Sequence, residues 1–146
     1  MRIVVDTNIV FSAILNTNSL IARVILQPKS RFHFYSTDLL SQEIQKHKSK
    51  LKQFSGLSDS ELTTSILLIT SKIRFIDATL IPTEILLKAE DLLKDIDIDD
   101  SEFVALTNQI RGKLWSGDKV LQNGLKQKGW SKFISTQELY QIIKKK

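Results

Sequence analysis

Residues 2–8 read RIVVDTN, an apolar triplet that runs directly into a carboxylate. Ile3, Val4 and Val5 are too uniformly apolar for a strand with one exposed face, so they predict a short strand buried inside a sheet. Asp6 then lies at the carboxyl end of that strand. Ligands of open parallel sheets gather beyond the carboxyl ends of the strands, so Asp6 stands where chemistry is expected.

Strand-like and helix-like segments alternate along the rest of the chain. Short β-branched and aromatic runs predict strands, whereas apolar residues at helical spacing between capping residues predict helices. This βα alternation indicates one domain, residues 1–146, with a parallel sheet and helices on both faces. The predicted strands lie at 32–35, 74–76, 114–116 and 133–135, and the predicted helices at 19–27, 38–51, 58–72, 82–94, 102–111, 120–128 and from a Thr136 cap onward.

The composition limits the chemistry that is available. The chain has 146 residues with no Cys and two His. This excludes a disulfide framework, a thiolate zinc site and a cysteine nucleophile, and leaves too few His for a histidine zinc site. Any bound metal would be a hard cation with oxygen ligands. The apolar runs are too short for a signal peptide or a membrane span, so we expect a soluble, cytoplasmic protein without a membrane partner.

The charge favours a polyanionic partner. The formal net charge is +5 and the pI is about 9.5, and nucleic acid is the commonest partner of a basic protein. The lysines at 46, 48, 50 and 52, and the run Lys144–Lys146, fit an exposed, solvated surface equally well.

Asp6 and Asp118 both stand just past predicted strands. Either one alone fits an ordinary Asx turn or helix cap. Asp6 also suits the nucleophile of a haloacid-dehalogenase-type phosphatase. Those enzymes usually carry a second Asp two positions later, where this chain has Asn8, which counts against that interpretation.

A run of acids precedes the predicted helix at 102–111: Asp95, Asp97, Asp99 and Asp100. Carboxylates are favoured near a helix N-terminus and serve as caps, which explains part of this run. Carboxylates so close together also repel one another, and a bound divalent cation relieves that repulsion.

Glu43 falls within or beside the core-facing stripe of the predicted helix 38–51. A carboxylate there is costly unless a cation or metal pairs with it, although an edge Glu that reaches water is the ordinary alternative. If Asp6, Glu43, Asp100 and Asp118 converge, they can bind one or two divalent cations. Such ions activate water and stabilise the charge on a transferring phosphate, which is nuclease chemistry.

Together these residues resemble the PIN-domain family, which includes many ribonuclease toxins (VapC type) of bacterial and archaeal toxin–antitoxin pairs. The resemblance implies a three-layer α/β/α sandwich around a central parallel sheet. It rests on VVDTN at 4–8, Glu43, DIDDSEFVAL at 97–106, LWSGDKVL at 114–121, GW at 129–130 and STQEL at 135–139.

The resemblance also implies a ribonuclease that depends on Mg²⁺ or Mn²⁺, cuts RNA, pairs with a cognate antitoxin and forms a homodimer. Asp97 matches an accessory acid that we add to the metal ligands. The family's catalytic acidic quartet is matched by Asp6, Glu43, Asp100 and Asp118, and its supporting polar positions by Thr7, Asn8 and Ser116. Thr107 and Asn108 depart from the usual pattern, since the family is usually apolar there.

Two other functions stay open at this point. A catalytically idle PIN-like module would bind RNA or a protein, but it has no need for four acids together. An aspartate-based phosphatase would use Asp6 as nucleophile with Lys119 as its cationic partner. For the homodimer, a candidate surface consists of Leu57, Leu62, Ile66 and Ile69, which fit a core-facing helix equally well.

Overall fold

The structure, a computed structural model, describes residues 1–28 and 31–145, so Lys146 lies outside it. In this part of the chain five parallel strands form one sheet: β1 (Arg2–Val5), β2 (His33–Thr37), β3 (Ile73–Ile76), β4 (Lys113–Trp115) and β5 (Phe133–Ile134). Their spatial order is β3-β2-β1-β4-β5. The chain therefore builds outward from β1 on one side and then returns to place β4 on the other, so the strand order reverses between β1 and β4.

The helices complete a three-layer α/β/α sandwich, as predicted. Helix α7 packs against β1, β2 and β4 and against α6, whereas α1 contacts α2, α4 and α5. The bounds are α1 Thr7–Leu15, α2 Leu20–Ile25, α3 Asp38–Lys46, α4 Lys48–Ser55, α5 Asp59–Thr70, α6 Thr83–Leu93, α7 Ser101–Ile110, α8 Lys119–Gln127 and α9 Thr136–Lys144. Within residues 1–28 and 31–145, no helix combines the length and apolarity that crossing a bilayer requires.

Strand β1 is the buried centre of the sheet. Ile3, Val4 and Val5 are fully inaccessible to solvent. Val4 lies between Tyr35 of β2 and Leu114 of β4. A central parallel strand is covered on both faces by helices, which explains why its sequence is a continuous apolar run.

Two helices differ from their prediction. Helix α1 was not predicted because Ile9, Val10, Ala13 and Ile14 are all buried, and a helix without a polar face gives no amphipathic contrast. The segment predicted as one helix at 38–51 is divided at His47, where α3 ends and α4 begins.

The predicted Thr136 cap is wrong. Ser135 caps α9 by accepting a hydrogen bond from the Glu138 N–H, and the Glu138 carboxylate accepts from the Ser135 N–H in return. Thr136 instead accepts a hydrogen bond from Nε1 of Trp115 at 2.9 Å. The side chain that closes the helix was therefore displaced by one residue because Thr136 serves a tertiary contact.

The two unusual polar residues of α7 are fully accommodated. The Thr107 hydroxyl donates to the Phe103 carbonyl at 2.7 Å. Asn108 Oδ1 accepts from Nε1 of Trp130 at 3.0 Å and from Nζ of Lys132 at 3.1 Å. Each polar group therefore has a partner, so neither residue disturbs the packing.

The candidate dimer surface on α5 is wrong in part. Leu62 and Ile69 are only 1% and 0% exposed, so they belong to the core. The large apolar side chains that α5 does expose are Leu67 and Leu68. Helical periodicity identified an apolar face correctly but did not reveal that this face is turned inward.

Candidate active site

Asp6 lies where β1 ends and α1 begins. Its Oδ1 accepts a hydrogen bond from the Ile9 N–H at 3.0 Å and so caps α1. Asp6 is only 4% exposed. Burial raises the pKa of Asp6, and the nearby Asp118 carboxylate raises it further. Hydrogen bonds from the Ser116 hydroxyl and from the Ile9 and Asn8 N–H groups oppose this rise.

Asp118 lies in the turn between β4 and α8. Its Oδ1 accepts from the Leu121 N–H at 3.1 Å and caps α8. Its own N–H donates to Ser116 Oγ at 3.1 Å, and Nε2 of Gln122 donates to the Ser116 carbonyl at 2.8 Å. These bonds fix the turn beside β1, because β4 is the neighbour of β1 at the point where the strand order reverses. Such switch points are where α/β folds bind their ligands.

Asp100 stands at the start of α7, after a short 3₁₀ turn, and its side chain makes no capping hydrogen bond. Its pKa is raised to about 7, first by burial and then by the charges of Asp97, Asp6, Asp118 and Asp99. We call these five residues the acidic group. Asp100 is thus the carboxylate that feels all the others.

The acidic group has no cationic partner within the protein. Among the described residues, none of the ion pairs includes one of its members. Asp95, the first acid of the same run, does not belong to the group: it pairs with Lys128, which lowers its pKa. The four neighbouring acids of the sequence therefore divide into one neutralised residue and three uncompensated ones.

Glu43 reaches the site from α3. Its Oε2 lies 3.2 Å from Nε2 of His47, and its side chain is 30% exposed. Together with Asp99 and Asp100 it lines a cavity of about 710 Å³. Glu43 is not among the carboxylates that raise the pKa of Asp100. The structure thus groups three of the four predicted catalytic acids electrostatically and places Glu43 in the wall of the adjoining cavity.

The predicted supporting residues lie in the same region. Thr7 and Asn8 line this cavity, and Ser116 is buried between the two capping acids. The accessory Asp97 accepts a hydrogen bond from the Asp99 N–H at 3.1 Å, which fixes the 3₁₀ turn that carries Asp100.

Three further residues of this cavity escaped the sequence analysis as functional candidates: Phe11, Lys46 and Glu102. The Oε1 atom of Glu102 is buried and lacks a hydrogen-bond partner in the described part of the chain. Its position in the first turn of α7 resembles ordinary helix-dipole chemistry, so the sequence carried no distinct signal. Phe11 lies one helical turn after Thr7, a spacing that would have identified it had α1 been predicted.

The donor set fits a divalent cation. Hard cations prefer carboxylate oxygens, and bound positive charge would relieve both the repulsion at Asp100 and the orphaned oxygen of Glu102. Among residues 1–28 and 31–145, no three Asp, Glu or His side chains form a ready-made ion-binding arrangement. Asp6 and Asp118 each have one oxygen engaged as a helix cap.

Comparisons with known proteins agree with this geometry. No curated protein matches the chain. Among solved structures, the chain is similar to the crystal structure of VapBC2 from Rickettsia felis bound to a DNA fragment from their promoter, with a TM-score of 0.67 and 16% sequence identity. The match covers 92% of this chain and 97% of that chain, and at this identity it concerns the fold. The family model described as PIN domain matches residues 4–140, and the chain therefore belongs to the PIN domain family.

Proposed function

We propose that this protein is an endoribonuclease that depends on Mg²⁺ or Mn²⁺. The observation that carries the proposal is Asp100, a partly buried carboxylate with a pKa raised to about 7 beside other acids that have no cationic partner in the described chain. Holding uncompensated carboxylates together costs stability. Strongly perturbed acids at a strand switch point are more typical of a functional site than of a structural one.

Asp6, Asp100 and Asp118, with Glu43 and Asp97, would hold the cation. When bound, a divalent cation polarises a phosphoryl oxygen and lowers the pKa of water. The chain's own residues prepare the donors. The Asp100 carboxylate is not used for capping and stays available, whereas the caps of α1 and α8 fix the positions of the other two acids.

The basic charge of the chain supports RNA as the substrate. The acidic group by itself repels phosphate, so attraction must come from elsewhere on the surface. Lys46 lines the cavity beside the acids, and Lys48 and Lys50 follow in α4. None of the three makes an ion pair among the described residues. These lysines are therefore free to attract the RNA backbone.

We further infer that the protein acts in the cytoplasm as the VapC-type toxin of a toxin–antitoxin pair, with a cognate antitoxin and a homodimeric state. The family resemblance of the motifs supports this, and the similar VapBC2 structure shares the fold. Induced expression should arrest growth, and co-expression of the product of an adjacent gene should restore it. Light scattering at high protein concentration tests the dimer. A wild-type chain that never slows growth would contradict the toxin assignment.

The nuclease proposal is tested by cleavage of a mixed-sequence RNA with Mg²⁺ or Mn²⁺ and with EDTA as control. Asp6→Asn, Asp100→Asn and Asp118→Asn should each abolish cleavage, because each removes a full charge from the metal ligands. Asp91→Asn, which neutralises an exposed acid paired with Lys94, is the matched control and should cleave normally.

Each alternative predicts a different result in the same assay. Activity in EDTA, or cleavage by all three Asn variants at the wild-type rate, would refute the metal-nuclease assignment. RNA binding without cleavage would identify a catalytically idle module. A phosphoaspartate at Asp6 would identify the phosphatase.

A further inference from the structure

The cavity beside the acidic group has two kinds of wall. One wall carries the carboxylates of Asp99 and Asp100, and the other is apolar. We propose that the apolar half binds one unstacked nucleobase of single-stranded RNA, next to the phosphodiester bond that is cut. The inference rests on the proposed nuclease function and adds the form of the substrate and the residues that select it.

The apolar wall suits the face of a base. It is formed by Phe11, Leu39, Leu86 and Ile98. Ile98 is 51% exposed, although it is a large aliphatic side chain, and it directly precedes Asp99 and Asp100. Unstacked bases bind to aromatic and apolar side chains in most sequence-reading RNA sites. The same short turn thus offers a surface for a base and carboxylates for the adjoining phosphate.

Phe11 is tied to the acids by direct contacts. Its ring centroid lies 5.9 Å from that of His47, at an interplanar angle of 74°. His47 in turn lies 3.2 Å from the Glu43 carboxylate. A base that packs on Phe11 would therefore be positioned relative to one of the predicted catalytic residues, which makes Phe11 a positioning residue as well as a wall.

The charge of the cavity rim favours RNA over a basic peptide as the occupant. Lys46 lines the cavity, and Lys48 and Lys50 follow in the next helix without an ion pair in residues 1–28 and 31–145. A volume of about 710 Å³ lies within the range of ordinary ligand sites. The bases of a duplex are stacked and paired, so only a single strand can place a base here.

The test measures binding separately from cleavage. The protein carries Asp118→Asn to prevent cutting, and the probes are fluorescent single-stranded oligoribonucleotides with one abasic nucleotide placed at each position in turn. Loss of a stacked base typically weakens binding about ten-fold. We expect one abasic position to do so with Asp118→Asn protein, and less than about two-fold once Phe11→Leu is added.

Phe11→Leu keeps an apolar side chain but removes the ring, and thermal unfolding verifies that the variant folds. Leu87→Ala is the matched control, because Leu87 is 58% exposed and does not line this cavity. The abasic penalty should persist in that variant. A duplex of the same sequence should bind at least about ten-fold more weakly than the single strand.

Three results would overturn the inference: no position sensitive to base removal, a penalty unchanged by Phe11→Leu, or equal affinity for duplex and single strand. If a basic, leucine-rich peptide binds instead and the abasic scan is flat, the cavity belongs to a protein partner. If the wild type fails to cleave RNA but the abasic scan succeeds, the nuclease function fails and the base site stands.

Discussion

Ser116 Oγ accepts a hydrogen bond from the Asp118 N–H across 3.1 Å, and the same hydroxyl donates to the Asp6 carboxylate. One side chain thus links the carboxyl ends of β4 and β1, where two acids that repel each other must stay in place. The Ser116 hydroxyl also favours the ionised form of Asp6, against the burial that raises the pKa of that residue.

Replacing Ser116 should weaken metal binding without unfolding the protein. In Ser116→Ala the pKa of Asp6 rises further, and we expect Mn²⁺ affinity to fall about ten-fold, as for the loss of a hydrogen bond to a charged group. Titration calorimetry measures this. Ser116→Thr keeps the hydroxyl and should restore most of the affinity, while Ser131→Ala, on the exposed surface, serves as control. Wild-type affinity in Ser116→Ala would contradict the linking role.

Asp100→Asn should stabilise the metal-free protein at high pH. The folded pKa of Asp100 is about 7 against a model value of 3.8, so the folded state binds more protons in this window and loses stability as pH rises through it. In EDTA at pH 8 we expect Asp100→Asn to unfold with about 2 kcal/mol more free energy, roughly half of the full shift because solvent screens a partly exposed group.

The advantage of Asp100→Asn should shrink toward zero as pH falls to about 4, where the carboxylate is protonated in both states. Urea unfolding at several pH values checks this. An advantage that is independent of pH would show that mutual charge repulsion is not its source.

Capping and chemistry can be separated at Asp118. Asn caps helices about as well as Asp, so Asp118→Asn should keep the stability of α8 but lose cleavage. Asp118→Ala should lose cleavage and about 1 kcal/mol of stability relative to Asp118→Asn, because the Leu121 N–H loses its acceptor. Denaturant midpoints of the two variants give the difference. Equal midpoints would mean that the cap bond contributes nothing.

Glu43→Gln should behave differently from the other acids of the quartet. Glu43 does not contribute to the raised pKa of Asp100, so its neutralisation should change the metal-free unfolding free energy by less than about 0.5 kcal/mol. Cleavage should nevertheless fall. Glu84→Gln, an exposed residue of α6, is the control for both measurements. A stabilisation as large as that of Asp100→Asn would place Glu43 inside the acidic group.

Gly112→Ala should destabilise the fold. A Cβ at this position would lie 2.6 Å from the Arg2 carbonyl oxygen, a backbone atom of the central strand that cannot move aside. We expect a loss of about 1–3 kcal/mol in unfolding free energy. Gly117→Ala, where a Cβ meets nothing within 4 Å, should unfold near the wild-type midpoint. Wild-type stability in Gly112→Ala would mean that β1 and β4 can separate without cost.

Prediction from sequence worked where one local signal sufficed. The triplet Ile3–Val5 needed only its uniform apolarity to identify the central strand, and Ser58 with Glu61 needed only their spacing to mark a capping box, which the structure confirms. It did not work where tertiary contacts decide. Helix α1 has no polar face to reveal its period, and Thr136 is drawn away from its cap by Trp115.

The candidate site shows the same division. The carboxyl ends of strands could be located in the sequence, so the acids of those turns were found. Which members of the run 95–100 belong together depends on where Lys128 lies, and that position depends on the packing of a distant segment. The walls of the cavity likewise combine three separate helices and one turn, for which no motif exists.

The central position of β1 also governs timing during synthesis. Asp6 leaves the ribosome early, but its neighbours in the sheet arrive in two stages, with β2 first and β4 only after residue 113. Until then one edge of β1 has no hydrogen-bonding partner, and Asp118 does not yet exist. A nascent or prematurely terminated chain therefore lacks the assembled site, so a nuclease built on this plan stays harmless to the ribosome that is making it.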